Sequence, residues 1–241
     1  MIKGRVFILK DLDISLLDLT DKDVAVDKNE CKSAVKKYVY SVLKRTFDIV
    51  ASLIILLPLV FLCAIVKIVN LLNKDNGPVL YSQKRIGENG NIFKMYKFRT
   101  MCVNADEVLK ELLKDKRYKN EWKKYHKFDD DPRITKVGNF LRRTSLDELP
   151  QFFNVLKGEM SVIGNRPYLV TEKEDMGKYY DKIIKTKPGI TGLWQTSGRN
   201  DITFKRRCII EAYYSCIVSI RLDIKIFFKT FKVVLFGRGA K

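Results

Sequence analysis

The chain has 241 residues, 46% of them hydrophobic, with 46 Lys plus Arg against 28 Asp plus Glu and a formal charge of +18. That length buries one substantial core, no Pro/Gly/Ser-rich linker divides it, and the charge narrows the partners to phosphorylated substrates, an anionic membrane or nucleic acid. One histidine, His126, excludes a His-built metal site and a Ser-His-Asp triad; five cysteines without a C-x-x-C spacing read as reduced cytosolic thiols, so acid–base or nucleophilic work falls to carboxylates.

In chain order, the first 40 residues carry Asp11, Asp13, Asp18, Asp21 and Asp23 and match no motif. Residues 32 to 45 hold Lys32, Lys36, Lys37, Lys44 and Arg45 and no acid, and residues 49–66 form an 18-residue run without a charge. Such a run is at the lower limit for a membrane helix and starts too late for a cleavable signal peptide; a buried core helix is the alternative, though core helices are usually striped. Cations flank both ends (Lys67 and Lys74 follow), which favours keeping both on one side of a bilayer. Pro58 removes a backbone hydrogen bond near the middle and bends the helix, so a re-entrant helix and a tilted span are both open.

Two β-prone runs, residues 78–86 and 91–101, flank Gly87-Glu-Asn-Gly90 and predict a hairpin. Lys97 and Arg99 share a face of the second run, where they could hold a diphosphate or simply keep an edge strand soluble. Residues 105 to 125 have a helical rhythm with Val108, Leu112 and Trp122 inward, predicting one solvated amphipathic helix. Asp129-Asp-Asp131 ahead of Pro132 reads as turn chemistry and is left outside the site.

The most informative run is Arg142-Arg143-Thr-Ser-Leu-Asp147-Glu148-Leu-Pro150. Ser145-x-x-Glu148 fits a capping box, yet two guanidiniums stand just before the acids and further cations follow, a setting that suits chemistry on a phosphate. Successive helical residues diverge by about 100°, so Asp147 and Glu148 divide the labour. Residues 203–236 interleave apolar and basic residues, as amphipathic helices in a headgroup plane do, or as core helices do with their inner faces.

The stretches Lys44-Arg45-Thr-Phe-Asp48, Tyr96-Lys97-Phe98-Arg99-Thr100-Met101, Asp131-Pro132-Arg133-Ile-Thr-Lys136, Thr144-Ser-Leu-Asp147-Glu148-Leu-Pro150-Gln151, Asn154-Val-Leu-Lys157-Gly158 with Met160-Ser161, Lys187-Pro188-Gly189-Ile-Thr-Gly192-Leu-Trp194-Gln195 and Ser197-Gly-Arg199 closely resemble the bacterial sugar transferases, the small monotopic polyprenyl-phosphate phosphoglycosyl transferases. The resemblance runs from about residue 42 to Ala240. It implies an α+β fold, mostly helical with a small β-hairpin, an N-terminal re-entrant membrane helix broken at Pro58 and interfacial amphipathic helices. It divides the chain into an extension of unknown role (1–41), the re-entrant helix (42–75) and a cytoplasmic catalytic domain (76–241), the extension being too short and polar for the extra membrane-helix module of larger relatives.

The activity implied is transfer of a sugar 1-phosphate from a UDP-sugar to undecaprenyl phosphate with release of UMP, on the cytoplasmic face of the bacterial inner membrane beside anionic lipids, initiating a surface polysaccharide. The resemblance makes Asp147 the nucleophile of a covalent aspartyl-phosphosugar and a ligand of Mg2+, Glu148 its partner, and Lys97, Arg142, Arg166 and Arg199 phosphate or nucleotide contacts; Arg99 and Arg143 are carried as further substrate-binding cations. No nucleic acid is implied, and a homo-oligomer stays open, as does the choice of sugar. Family members often have serine before the proline where this chain has Leu57, and Pro-Arg-Pro where it has Asn165-Arg166-Pro167, which predicts a less stiff loop. Glu211 and Val218 stand where aspartate and tryptophan are common, which predicts looser packing. Competing readings are direct transfer without a covalent intermediate, a non-catalytic membrane scaffold, and a nucleic-acid-binding protein; the last leaves the uncharged run unexplained.

Overall fold

The computed structural model describes residues 19–25, 33–125, 128, 130–196 and 202–235. In order, the regular elements are α1 (Asp21–Ala25), α2 (Ala34–Leu72), β1 (Leu80–Ile86), β2 (Ile92–Phe98), α3 (Ala105–Leu112), α4 (Lys116–Tyr125), α5 (Lys136–Arg143), α6 (Gln151–Lys157), β3 (Ser161–Ile163), α7 (Lys173–Met176), α8 (Tyr180–Ile183), β4 (Gly189–Thr191), α9 (Phe204–Ile217) and α10 (Ile220–Leu235). The predicted hairpin is β1–β2; its connection bends through the left-handed residues Asn89 (φ 56°) and Gly90 (φ 81°) and closes with Gly87 N–H donating to Asn91 O at 2.7 Å. A second, parallel pair, β3–β4 in the register Ser161 opposite Gly189, has strands of three residues, too short to leave a periodicity.

The chain divides into two compact units. The first takes in the described residues up to Leu53, Lys84–Met95 and Phe152 onward; the second takes Ile54–Gln83 and Tyr96–Gln151. In the first unit the core gathers Phe93 and Met95 from β2 with Met160, Val162, Tyr168, Leu193 and much of α9. Three residues of α2 fasten that helix to it. Lys44 donates to Ile163 O (2.9 Å) and to Asp223 (2.7 Å); Arg45 donates to Val155 O and Leu156 O (2.7 Å each), satisfying carbonyls near the end of α6. Asp48, 3% exposed, accepts from Ser161 Oγ (3.0 Å) and Val162 N (2.9 Å). Asp48→Ala strands that hydroxyl and amide without a partner; it is expected to cost about 2–3 kcal/mol, read as a lowered midpoint in detergent-phase urea unfolding.

The described part of the N-terminal extension is docked on this unit. Asp21 receives Lys178 Nζ and the Tyr179 hydroxyl, Leu19 O receives Arg206, and Val24 O receives Lys182.

Two expectations are corrected here. α9 is a core helix, with Cys208, Ile209, Ile210, Glu211, Ala212, Tyr214, Ser215 and Cys216 buried, so of the two C-terminal helices only α10 has the two-sided character of an interfacial one: Leu222 and Ile226 are buried while Ile224, Phe228 and Phe231 are exposed. Asn165 does not slacken its loop, because its Nδ2 donates to Ser215 Oγ (2.7 Å), Ile183 O and Thr186 Oγ1 (3.1 Å each).

In the second unit Leu59 and Val66 of α2, Phe98 and Leu141 form a small apolar cluster, joined by Leu56, Leu62, Cys63, Val79, Val137, Leu146 and Leu149. The opposite side of the same helix segment exposes Leu57, Val60, Phe61, Ile65 and Ile68, and its most apolar 18-residue window is only 17% buried, unlike the core helix of a soluble protein. α2 stays helical from Ala34 to Leu72 with Pro58 inside it. The single helix predicted over 105–125 is two, because Asp115 starts a new one, its carboxylate accepting from Arg117 N at 2.7 Å. Asp131 pairs with buried Arg133 (2.7 Å), whose guanidinium lies 5.5 Å from the rings of Trp122 and Phe128, so this acid serves the loop, as its neighbourhood to proline predicts.

Candidate active site

The run Leu146–Glu148 is a single 3-10 turn between α5 and α6. Ser145 ahead of it is left-handed (φ 57°) and its side chain makes no capping bond, so the capping box does not form. The left-handed residue reverses the chain after α5, and Leu146 and Leu149 then pack into the cluster with Leu59 and Val66. Asp147 and Glu148 lie between those two leucines and are held against the apolar helix.

The position of α5 is set by backbone contact. Thr135 caps it, its Oγ1 accepting from Gly138 N (2.9 Å), while Thr135 N donates to Thr100 O (3.0 Å). Arg142, one turn on, donates from Nε to Thr100 Oγ1 at 2.9 Å. Thr100 was not among the predicted site residues, although it lies in the Phe98-Arg-Thr-Met101 run.

Lys97 at the end of β2 pairs with Glu148 at 2.9 Å, so Glu148 and not Asp147 takes the lysine. Loss of water around Asp147 raises its pKa, repulsion by Glu148 adds to this, and Lys97 and Arg142 only partly offset it; the carboxyl is pushed up to about 6. A half-buried carboxylate that ionises reluctantly near two cations has, once ionised, the chemistry to act as an anionic nucleophile. Lys97→Met removes the larger of the two offsetting charges, so the acid limb of any Asp147-dependent activity is expected to move up by about one pH unit; a limb that stays near pH 6 would remove Lys97 from the electrostatics of the site.

The structure thus brings Lys97, Arg142, Asp147 and Glu148 together. Arg99 is a correction: its Nη2 is bidentate on Asp75 (2.9 and 3.0 Å), Nε donates to Pro78 O and Nη1 to Met101 O, leaving a buried structural cation. Arg143 is exposed at the end of α5, and the charges acting on Asp147 are those of Glu148, Lys97 and Arg142. Arg166 belongs to the first unit, where its backbone N–H donates to buried Glu211 at 2.6 Å. Arg199 lies outside the described residues.

Among the described residues no three His, Cys, Asp or Glu side chains converge, so a magnesium ion held here would have Asp147 as its protein acid, Glu148 being paired with Lys97, and would complete its shell with water and substrate phosphate.

The family model described as bacterial sugar transferase matches residues 39–237. The chain is 48% identical over 202 residues to the undecaprenyl-phosphate galactose phosphotransferase of Salmonella typhimurium, covering 82% of this chain and 41% of that protein. It is 43% identical over 202 residues to the exopolysaccharide production protein ExoY of Rhizobium meliloti, covering 82% and 87%. It is 41% identical over 198 residues to the UDP-glucose:undecaprenyl-phosphate glucose-1-phosphate transferase of Escherichia coli, covering 78% and 39%. The chain therefore spans about two fifths of the length of several curated relatives and most of the length of ExoY.

Proposed function

We propose, since the chain belongs to the bacterial sugar transferase family, that it transfers a sugar 1-phosphate from a UDP-sugar to undecaprenyl phosphate, releasing UMP and beginning a surface glycan. One observation carries this reading: Asp147 is held on the apolar helix beside Arg142, while its neighbour Glu148 is the one engaged by Lys97.

The ionised Asp147 oxygen attacks the phosphorus that bears the sugar. The bond from that phosphorus to the bridging oxygen breaks, and UMP leaves with the electron pair. An oxygen of undecaprenyl phosphate then attacks the same phosphorus and Asp147 departs as a carboxylate, so neither step consumes a proton. Arg142 and Lys97 neutralise phosphate oxygens, and Glu148 orients Lys97. Magnesium, when bound at Asp147, supplies further neutralisation of phosphate charge. Arg166 and Arg199 are proposed as phosphate or nucleotide contacts by the same family reading.

α2 is proposed to enter the cytoplasmic leaflet around Pro58 and to keep both ends on that side, supported by cations at each flank and by the exposed apolar face of residues 57–68. The basic, exposed-aromatic side of α10 is proposed to rest among anionic headgroups.

The test has two parts. A panel of UDP-sugars assayed for UMP release in detergent should give turnover that requires undecaprenyl phosphate, and a donor labelled in its sugar phosphate should mark the protein when acceptor is withheld. Label that never appears while turnover proceeds would replace the covalent route by direct transfer. Turnover that survives in Asp147→Asn would remove the assignment altogether.

A further inference from the structure

In the second unit a single threonine, Thr100, meets α5 at three successive levels. Its carbonyl oxygen accepts from Thr135 N at the start of the helix (3.0 Å). The same carbonyl lies so close to Gly138 that a β-carbon there would stand 1.9 Å from it. Its hydroxyl oxygen accepts from Arg142 Nε at 2.9 Å. Gly138 and Arg142 are four residues apart, so they lie one above the other on one face of the helix, and that face is the one turned to Thr100. Thr100 is 8% exposed and β-branched, which makes its hydroxyl a fixed acceptor.

Helix stability alone does not call for the third contact. An arginine in the last turn that only complements the helix dipole needs no fixed plane, and holding its long side chain still costs rotamer entropy. Arg142 instead commits its Nε–H to Thr100. Its two terminal nitrogens make no hydrogen bond or ion pair among the described residues, although the guanidinium is one of the two cations that act on Asp147. Donation from Nε fixes the plane of the fork. The free edge of Nη1 and Nη2, the edge that can take two oxygens of one phosphate, then keeps a single orientation.

We infer that Thr100 is a positioning residue, its hydroxyl holding the Arg142 guanidinium in the plane from which the free edge receives phosphate oxygens. This rests on the transferase reading for what Arg142 binds; the Thr100 contact itself does not depend on it.

The full-length protein in detergent, labelled with nitrogen-15, tests the contact without turnover. The Arg142 Nε–H resonance, identified by its loss in Arg142→Lys, is expected to exchange slowly with solvent in the parent and in Thr100→Ser, which keeps an acceptor. In Thr100→Val, which keeps the shape and removes the acceptor, exchange should be at least about tenfold faster; Thr100→Ala gives the same reading if the valine protein unfolds. Turnover of UDP-sugar carries the functional half. Thr100→Val should lower kcat/KM about tenfold, Thr100→Ser should recover most of that, and in the Arg142→Lys background, where no Nε is left to hold, Thr100→Val should add nothing. Equal exchange in the serine and valine proteins, or a valine defect that persists undiminished in Arg142→Lys, would overturn the positioning role. The expected exchange pattern in a protein that never releases UMP would sink the transferase reading and leave the positioning of Arg142 standing.

Discussion

Asp147→Asn is expected to reduce the proposed sugar-phosphate transfer by at least about a thousandfold and, in the same protein, to raise stability. The amide keeps the shape of the side chain but cannot attack phosphorus. Stability changes for a separate reason. The folded carboxyl ionises near 6 and the unfolded one near the ordinary aspartate value of about 4, so between those two values the folded state binds more protons than the unfolded state. Stability therefore falls as pH rises through that window, and above it the ionised group is a standing cost. The asparagine protein carries no such cost. Discounted for partial exposure, the gain at pH 7.5 is on the order of 1 kcal/mol, or about 2–4 °C in melting temperature for a chain of this length. Radiolabel transfer and a thermal melt on one preparation check both. Intact transfer, or a melt that drops, would mean that Asp147 is not the strained and reactive carboxylate described above. In the parent enzyme the same titration predicts an acid limb of kcat/KM near pH 6, activity being lost as pH falls through it.

Gly138→Ala should be among the most damaging single-methyl changes in the second unit. A β-carbon there would lie 1.9 Å from the Thr100 carbonyl oxygen and 2.7 Å from its Cα, and both are backbone atoms that cannot rotate away. α5 would have to shift, taking with it the Thr135 to Thr100 hydrogen bond and the Arg142 to Thr100 contact. We expect a loss of about 3 kcal/mol and a melting temperature lower by roughly 6–12 °C, with transfer activity falling further than stability because Arg142 is displaced. Gly177 supplies the contrast. Its φ of +51° and ψ of −132° suit glycine and nothing stands within 4 Å of an added β-carbon, so Gly177→Ala costs about 1–3 kcal/mol, all of it backbone strain, and leaves transfer unchanged.

The parts of this molecule that were legible in sequence are those written in local chemistry. Asn89-Gly90 specifies its hairpin, the uncharged run its long helix, and the Arg142-to-Glu148 run its cluster of opposite charges. What was not legible depends on partners far along the chain. Capping by Ser145 is a fair reading of Ser-x-x-Glu, and it fails because Lys97, 51 residues upstream, takes Glu148. Arg99 looks like a substrate ligand until Asp75 is found beside it. The burial of α9 is hidden because basic residues at its start resemble a membrane surface, while Glu211, expected to loosen the packing, is buried with its Oε1 accepting from the Arg166 backbone N–H. The strands β3 and β4 are each too short to be seen without the other.

Leu146 and Leu149 share one cluster with Leu59 and Val66, so the paired acids have no freedom to rise or sink independently of the helix beneath them. On the proposed seating of that helix among acyl chains, the Asp147 oxygen would travel at a fixed depth, like a float on its keel. An isoprenoid carrier, if it is the acceptor as proposed, would then meet its partner by drifting sideways in the leaflet without being hauled out of the oil, and the search would become two-dimensional.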